Sequence, residues 1–301
     1  MISGNESFFK ALTEYMKEKD VDTDEKYEKE LQKFTEMYNS GLIDFELSEE
    51  YKRQEESDDL LEEAYNADSD KEAIQLAKKA IKVDEHNYDA YNLITSLINN
   101  PEQQKKEYKK TLDMATKHME ETDMFSKDNI GSFWGIIETR PYMRTRHSYI
   151  LTLIALGQIE EALTECEEML KLCENDNMGI RYILMRLYVI KRDYRAASKL
   201  FKVYNESSIQ MLFPMSIIHY YKGEYNLAKK SLEEAAMRNE HIIKCITEKI
   251  ELSLEEIADI MSERYYAWGS KEEVIILLVE YADLLFNSPD YLFWLNENFN
   301  K

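Results

Sequence analysis

Apolar residues along this chain recur at the three- and four-residue spacing of an α-helix, and strand-like alternation is not needed to explain any segment. After Ala162 they continue as Leu163, Cys166, Met169 and Leu170, and after Ala228 as Leu232, Ala235 and Ala236, so each set lies on one helical face. A short phrase precedes each run: Gly157-Gln158-Ile159-Glu160-Glu161-Ala162, Arg192-Asp193-Tyr194-Arg195-Ala196-Ala197 and Gly223-Glu224-Tyr225-Asn226-Leu227-Ala228. The closing alanines stand 35 and 31 positions apart. Two helices of a hairpin approach closely only where a small side chain sits near the start of the second. Ala162, Ala197 and Ala228 are therefore expected at helix–helix contacts.

An earlier copy reads Lys71-Glu72-Ala73-Ile74, followed by Ala77, Ala80, Ile81 and Val83. The next pair, roughly Tyr88 to Glu120, is degenerate: it is broken at Asn99-Asn100-Pro101 and carries Glu107 where the small residue belongs. Phe8, Leu12 and Tyr15, then Leu31, Phe34 and Tyr38, fit two short amphipathic helices before the repeats. Ser253-Leu254-Glu255-Glu256 and Ser270-Lys271-Glu272-Glu273 read as capping boxes opening two later helices. A stack of helix pairs exposes an apolar face at its end, and Tyr281, Leu284, Leu285, Phe286, Phe293, Trp294 and Leu295 are expected to cover it. Phe125 to Tyr142 interrupts the spacing. This insertion either folds over the binding face or, as the plainer expectation, buries Trp134 as a plug between poorly matched repeats.

The period is close to the ~34 residues of tetratricopeptide repeats, and the chain resembles that class. A second resemblance is carried by Arg140-Pro141-Tyr142-Met143-Arg144, Asn175-Asp176-Asn177-Met178-Gly179-Ile180-Arg181-Tyr182, Asn239-Glu240-His241 and Trp294-Leu295. From about Arg140 to Trp294 the chain is similar to a group of bacterial tetratricopeptide proteins that look like the suppressor-of-tumorigenicity-7 family. The resemblance implies a helical-repeat fold and no particular chemistry. The expected fold is all-α, a right-handed α-α superhelix of tetratricopeptide-like pairs with atypical capping helices. It divides into an N-terminal arm or cap (1–55), first pairs (56–120), an inserted loop (121–142), three repeats (143–240) and capping helices (241–301).

Composition agrees with helices joined by short turns, since Gly and Pro number only 8 and 4 against an apolar fraction of 44%. A formal charge of −21 repels a phosphate backbone, so no nucleic-acid partner is expected. The longest apolar run, Val274 to Val279, falls far short of the ~20 residues that span a bilayer, and the N-terminus turns polar too early for a secretory signal. No membrane association and a cytoplasmic location are expected. Cys166, Cys173 and Cys245 lack disulfide-framework spacing and read as reduced thiols, Cys166 at an apolar core position.

Histidines 86, 118, 147, 219 and 241 are scattered without metal-ligand spacing. Neither a phosphate-cradling glycine loop nor a Gly-x-Ser-x-Gly elbow is present. No catalytic residue, metal or cofactor is assigned, and the chain is not expected to be an enzyme. Binding candidates come from charge instead. Seven of the ten arginines fall between positions 140 and 195. Arg140, Arg144, Arg146, Arg181 and Arg186, together with Trp134, are the candidate partner-binding residues, because arginine's planar fork suits the carboxylates of an acidic segment. The alternative is that these arginines pair with local carboxylates, Arg181 with Asp176 for instance. The carboxylate clamp of chaperone-binding tetratricopeptide proteins is not matched: Asp58 and Glu62, His147 and Leu151, and Tyr182 and Arg186 occupy its positions. The expected function is a scaffold or adaptor binding a protein or peptide on its concave face, or else a ligand- or peptide-responsive regulator acting through protein contacts. An enzyme comes third.

Overall fold

The structure is a computed structural model; it describes residues 4–17, 19–42, 48–248, 252–262 and 266–299, so the expected N-terminal arm and C-terminal cap lie partly outside them. The chain divides into two compact units, 1–177 and 178–301. Unit 1 holds α1 (Gly4–Met16), α2 (Asp24–Asn39), α3 (Glu49–Tyr65), α4 (Asp70–Val83), α5 (Tyr88–Ser96), α6 (Pro101–Glu121), α7 (Arg140–Ala155) and α8 (Ile159–Leu172). Unit 2 holds α9 (Ile180–Ile190), α10 (Tyr194–Tyr204), α11 (Ile209–Tyr221), α12 (Tyr225–Arg238), α13 (His241–Thr247), α14 (Leu254–Ser262), α15 (Lys271–Glu280), α16 (Ala282–Phe286) and α17 (Pro289–Phe299). The fold is all-α, and no strand occurs among the described residues. An isolated bridge joins Gly131 and Ser132 to Cys173.

Helices pack in sequence-adjacent pairs, α3 with α4, α5 with α6 and α7 with α8 in unit 1, and α9 with α10 and α11 with α12 in unit 2. First helices also lie side by side, α5 against α3 and α7, and α9 against α11. Within each unit this consecutive pairing is consistent with a helical-repeat superhelix. Side-chain caps start many of the helices: Ser48, Ser69, Asn87, Asn100 and Asp193 each accept the N–H three residues on, at 2.9 to 3.3 Å. Proline opens α6 at the position where a missing N–H costs nothing.

The three repeat phrases build one turn. Gly157, Arg192 and Gly223 all take positive φ, at 69, 58 and 75°. The following N–H reaches back five residues in each case, Gln158 to Leu153, Asp193 to Tyr188 and Glu224 to His219, at 2.8 to 2.9 Å. These are the bonds that close a helix through a left-handed residue. Arginine at 192 takes a conformation in which a Cβ is strained, so the phrase survives loss of its glycine.

Ala162, Ala197 and Ala228 are fully buried, as the spacing predicts, and Ala73 is 7% exposed. In the degenerate pair Glu107 is half-buried, and the buried small positions come one and two turns later at Thr111 and Ala115, which are 3% and 0% exposed. Ala228→Leu is expected to overpack its site and cost ~1–3 kcal/mol, measured as a shift in the urea midpoint. A variant melting with the parent would show slack at this contact.

Unit 2 is organised around α11, whose residues from Ile209 to Ile218 are all buried. Phe213 meets Tyr281 edge-on at 5.5 Å, and the Ser216 and Tyr291 hydroxyls are 2.5 Å apart. The C-terminal cap thus differs from the sequence expectation. Tyr281 and Leu295 are buried as predicted, but Tyr291 fills the central place, while Phe286 and Phe293 are 86% and 65% exposed. On α17 Tyr291 and Leu295 stand four residues apart on the inner face, which turns Phe293 outward.

Both predicted capping boxes begin helices, with different outcomes. Ser253 and Glu256 make the reciprocal pair, each backbone N–H bonding the other's side chain at 3.2 and 2.8 Å. Glu273 instead turns inward and accepts from Gly269 N–H, Asn239 Nδ2 and Gln210 Nε2 at 2.8, 3.0 and 3.1 Å. A carboxylate 2% exposed is thereby satisfied by three donors drawn from three places in unit 2.

Candidate partner-binding surfaces

The insertion places Arg140 and Trp134. It forms two short 3-10 turns, Phe133–Gly135 and Ile137–Thr139, that lead into α7. Gly131 N–H donates to Leu172 C=O at 3.1 Å and Glu174 N–H to Gly131 C=O at 2.8 Å, which pins the segment beside the end of α8. The plug is Phe133, fully buried against Phe125 and Tyr142, rather than Trp134, which stays half-buried. The Arg140 guanidinium lies 5.5 Å from the Trp134 ring centre, and its Nε donates to Trp134 C=O at 2.9 Å.

The arginines singled out by sequence are engaged within the protein. Arg144 holds Asp89 of α5 in a two-pronged grip, Nε to Oδ1 at 2.9 Å and Nη2 to Oδ2 at 2.5 Å, and reaches Glu6 of α1 at 3.3 Å. Arg140 adds a longer contact to Glu6 at 3.7 Å. Burial works against the Arg144 cation, but the Asp89 and Glu6 carboxylates outweigh it and hold its pKa above the ordinary arginine value. Arg146 pairs with Glu165 at 2.9 Å and donates to the Tyr142 hydroxyl. In unit 2 Arg181 pairs with Glu206 at 3.1 Å and packs over Tyr182 and Tyr204. Arg186 donates to Glu280 C=O at 3.2 Å, beside a Glu280 carboxyl whose pKa burial raises and the Arg186 charge partly restores.

These contacts assemble a surface in unit 1 that sequence spacing did not reveal. Helix α1 lies against α3 and the second 3-10 turn and carries Glu6 to Arg140 and Arg144 of α7. Lys10 bonds Asp58 of α3 at 2.7 Å, and Tyr51 of α3 donates to Ser7 C=O at 3.5 Å. Burial raises the Asp58 pKa against the opposing pull of Lys10. The apolar side of α1, Ala11, Leu12 and Tyr15, closes on Phe34 of α2 and on Tyr51. Under α1 a cavity of about 120 Å³, lined among others by Lys10, Asp58, His86, Asn87 and His118, is left over. It is below the ~300 Å³ of small-molecule pockets. His86 and His118 stack there at 3.7 Å, and burial, then the His86 charge, lowers the His118 pKa.

Sequence reasoning also passed over a basic face in unit 2. Arg195, Lys199 and Lys202 of α10 are exposed, with Lys222 nearby around an open groove. A running charge count would have found them. Among the described residues no group of three His, Cys, Asp or Glu side chains is arranged to hold a metal ion, and no helix is long and apolar enough to cross a membrane. Among the described residues the three cysteines form no disulfide, and all three are buried. Compared with known proteins, the chain matches no protein-family model and no curated protein.

Proposed function

We propose that the chain is a tetratricopeptide-like scaffold that holds a helical, acidic segment of a protein partner along the first helices of unit 1. The supporting observation is α1 itself, a short helix laid on that face with Glu6 against Arg140 and Arg144 and Lys10 against Asp58. A surface that recognises a helix by one buried carboxylate and a flanking apolar stripe uses the chemistry expected of helix-in-groove binding. The self-occupied face favours the peptide-responsive regulator as a second reading, because a partner helix must first displace α1, and its affinity falls by the fraction of time the face is open.

The test uses a chain beginning at Ser48, checked for helical content and a cooperative melt, and a labelled peptide spanning residues 4–42. The peptide is expected to bind in trans at roughly micromolar concentrations, corresponding to about 8 kcal/mol. Glu6→Lys in the peptide is expected to weaken it at least tenfold. No binding by a folded truncated chain, or equal binding by the Glu6→Lys peptide, would sink the reading.

A further inference from the structure

From Met178 to Arg238 the sequence carries eleven basic and five acidic residues, a net +6, which leaves −27 on the rest of a −21 chain. Helix α10 concentrates that excess. It contains no carboxylate, and Arg195, Lys199 and Lys202 stand at i, i+4 and i+7 along one stripe. All three are exposed, and among the described residues none of them forms an ion pair. That sets them apart from Arg140, Arg144, Arg146 and Arg181, each of which has a carboxylate within 4 Å.

These three cations, with Tyr194, Ala196, Ser198 and Lys222, line an open groove of about 840 Å³. Lys222 is paired with Glu224 at 3.0 Å and exposed. The groove's own carboxylate, Asp193, is occupied in capping α10 through the Ala196 N–H at 3.0 Å. Val203, 68% exposed, adds an apolar spot on the same side of the helix as Lys199.

We infer that this face of α10 is a docking surface for a short acidic segment of a partner protein. Charge complementarity selects the class. Eleven helical residues span roughly 16 Å, room for three or four carboxylates spaced like the three cations. A nucleic acid brings one charge per ~1.7 Å and continues past the helix into the field of the remaining −27. The surface is independent of the α1 face in unit 1, and either assignment can fail without the other.

The probe is a fluorescein-labelled polyglutamate peptide of about twelve residues, titrated with the full chain at low salt and followed by anisotropy. Binding is expected to weaken steeply with ionic strength. Arg195→Glu/Lys199→Glu/Lys202→Glu is expected to lose tenfold or more in affinity at an unchanged melting temperature. Lys71→Glu/Lys78→Glu/Lys79→Glu makes the same charge change on the exposed face of α4 and is expected to bind as the parent does. No binding, or equal losses in the two variants, would overturn the inference. Tighter binding of a single-stranded oligonucleotide of equal charge would assign the face to nucleic acid instead. Self-association of the parent in sedimentation, abolished by the α10 variant alone, would assign it to a second copy of the chain.

Discussion

Arg144→Met is expected to lower the unfolding free energy by roughly 3–5 kcal/mol, read from the urea midpoint at unchanged slope. Methionine keeps much of the arginine stem's packing but removes the charge between two carboxylates, Asp89 and Glu6, whose side chains are 8% and 5% exposed. Asp89 would be left buried without its cation, and Glu6 with only the longer 3.7 Å contact to Arg140. Removing one member of such a group costs far more than the intact group contributes, because the desolvation already suffered is no longer offset. Arg144 keeps 23% of its side-chain surface, which places the loss toward the lower end of that range. Neutralising the two acids in the same background, as Glu6→Gln/Asp89→Asn/Arg144→Met, is expected to recover most of the loss. A deficit below ~1 kcal/mol for Arg144→Met would mean that water reaches the triad and that it behaves as a surface pair.

The triad also marks where sequence reading stops. Helices, turns and small-residue contacts were legible because they rest on neighbours in the chain: Ala162, Ala197 and Ala228 follow a phrase whose Gly157 and Gly223 end one helix and whose alanine admits the next. Glu6 and Arg144 are 138 residues apart, and no local pattern connects them. Arginine enrichment between positions 140 and 195 was visible, but whether each guanidinium meets a carboxylate depends on distant helices. Arg181 finds Glu206 and Arg146 finds Glu165, while Arg195 finds none among the described residues. The α10 stripe was obscured for a simpler reason. Two of its three cations are lysines, and a search restricted to arginine could not see them.

Aromatic residues show the same limit at shorter range. Tyr291 and Phe293 both sit on α17, and only the phase of that helix against α11 decides that the tyrosine is buried while the phenylalanine faces solvent. The Tyr291 hydroxyl finds Ser216, so the more polar ring can take the inner place at no unsatisfied cost. Hydrophobicity alone ranks the two the other way.

Phe133→Ala is expected to cost about 3–5 kcal/mol, whereas Trp134→Ala is expected to cost under about 1.5 kcal/mol, although tryptophan is the larger side chain. Phe133 is fully buried, its ring 5.4 Å from Phe125 and 6.4 Å from Tyr142, so truncation opens a cavity between those rings. The backbone around it is held from several sides. The Thr139 hydroxyl donates to Phe133 C=O, and Gly131 exchanges hydrogen bonds with Leu172 and Glu174. Those bonds keep the segment from collapsing into the void, and a site that cannot relax loses the most. Trp134 is half-buried, and what Arg140 takes from it is partly a backbone carbonyl that alanine retains. Measuring both variants by urea denaturation decides which ring seals the insertion. A larger loss for Trp134→Ala would restore tryptophan as the plug and place the Phe133 side chain in a pocket that can refill.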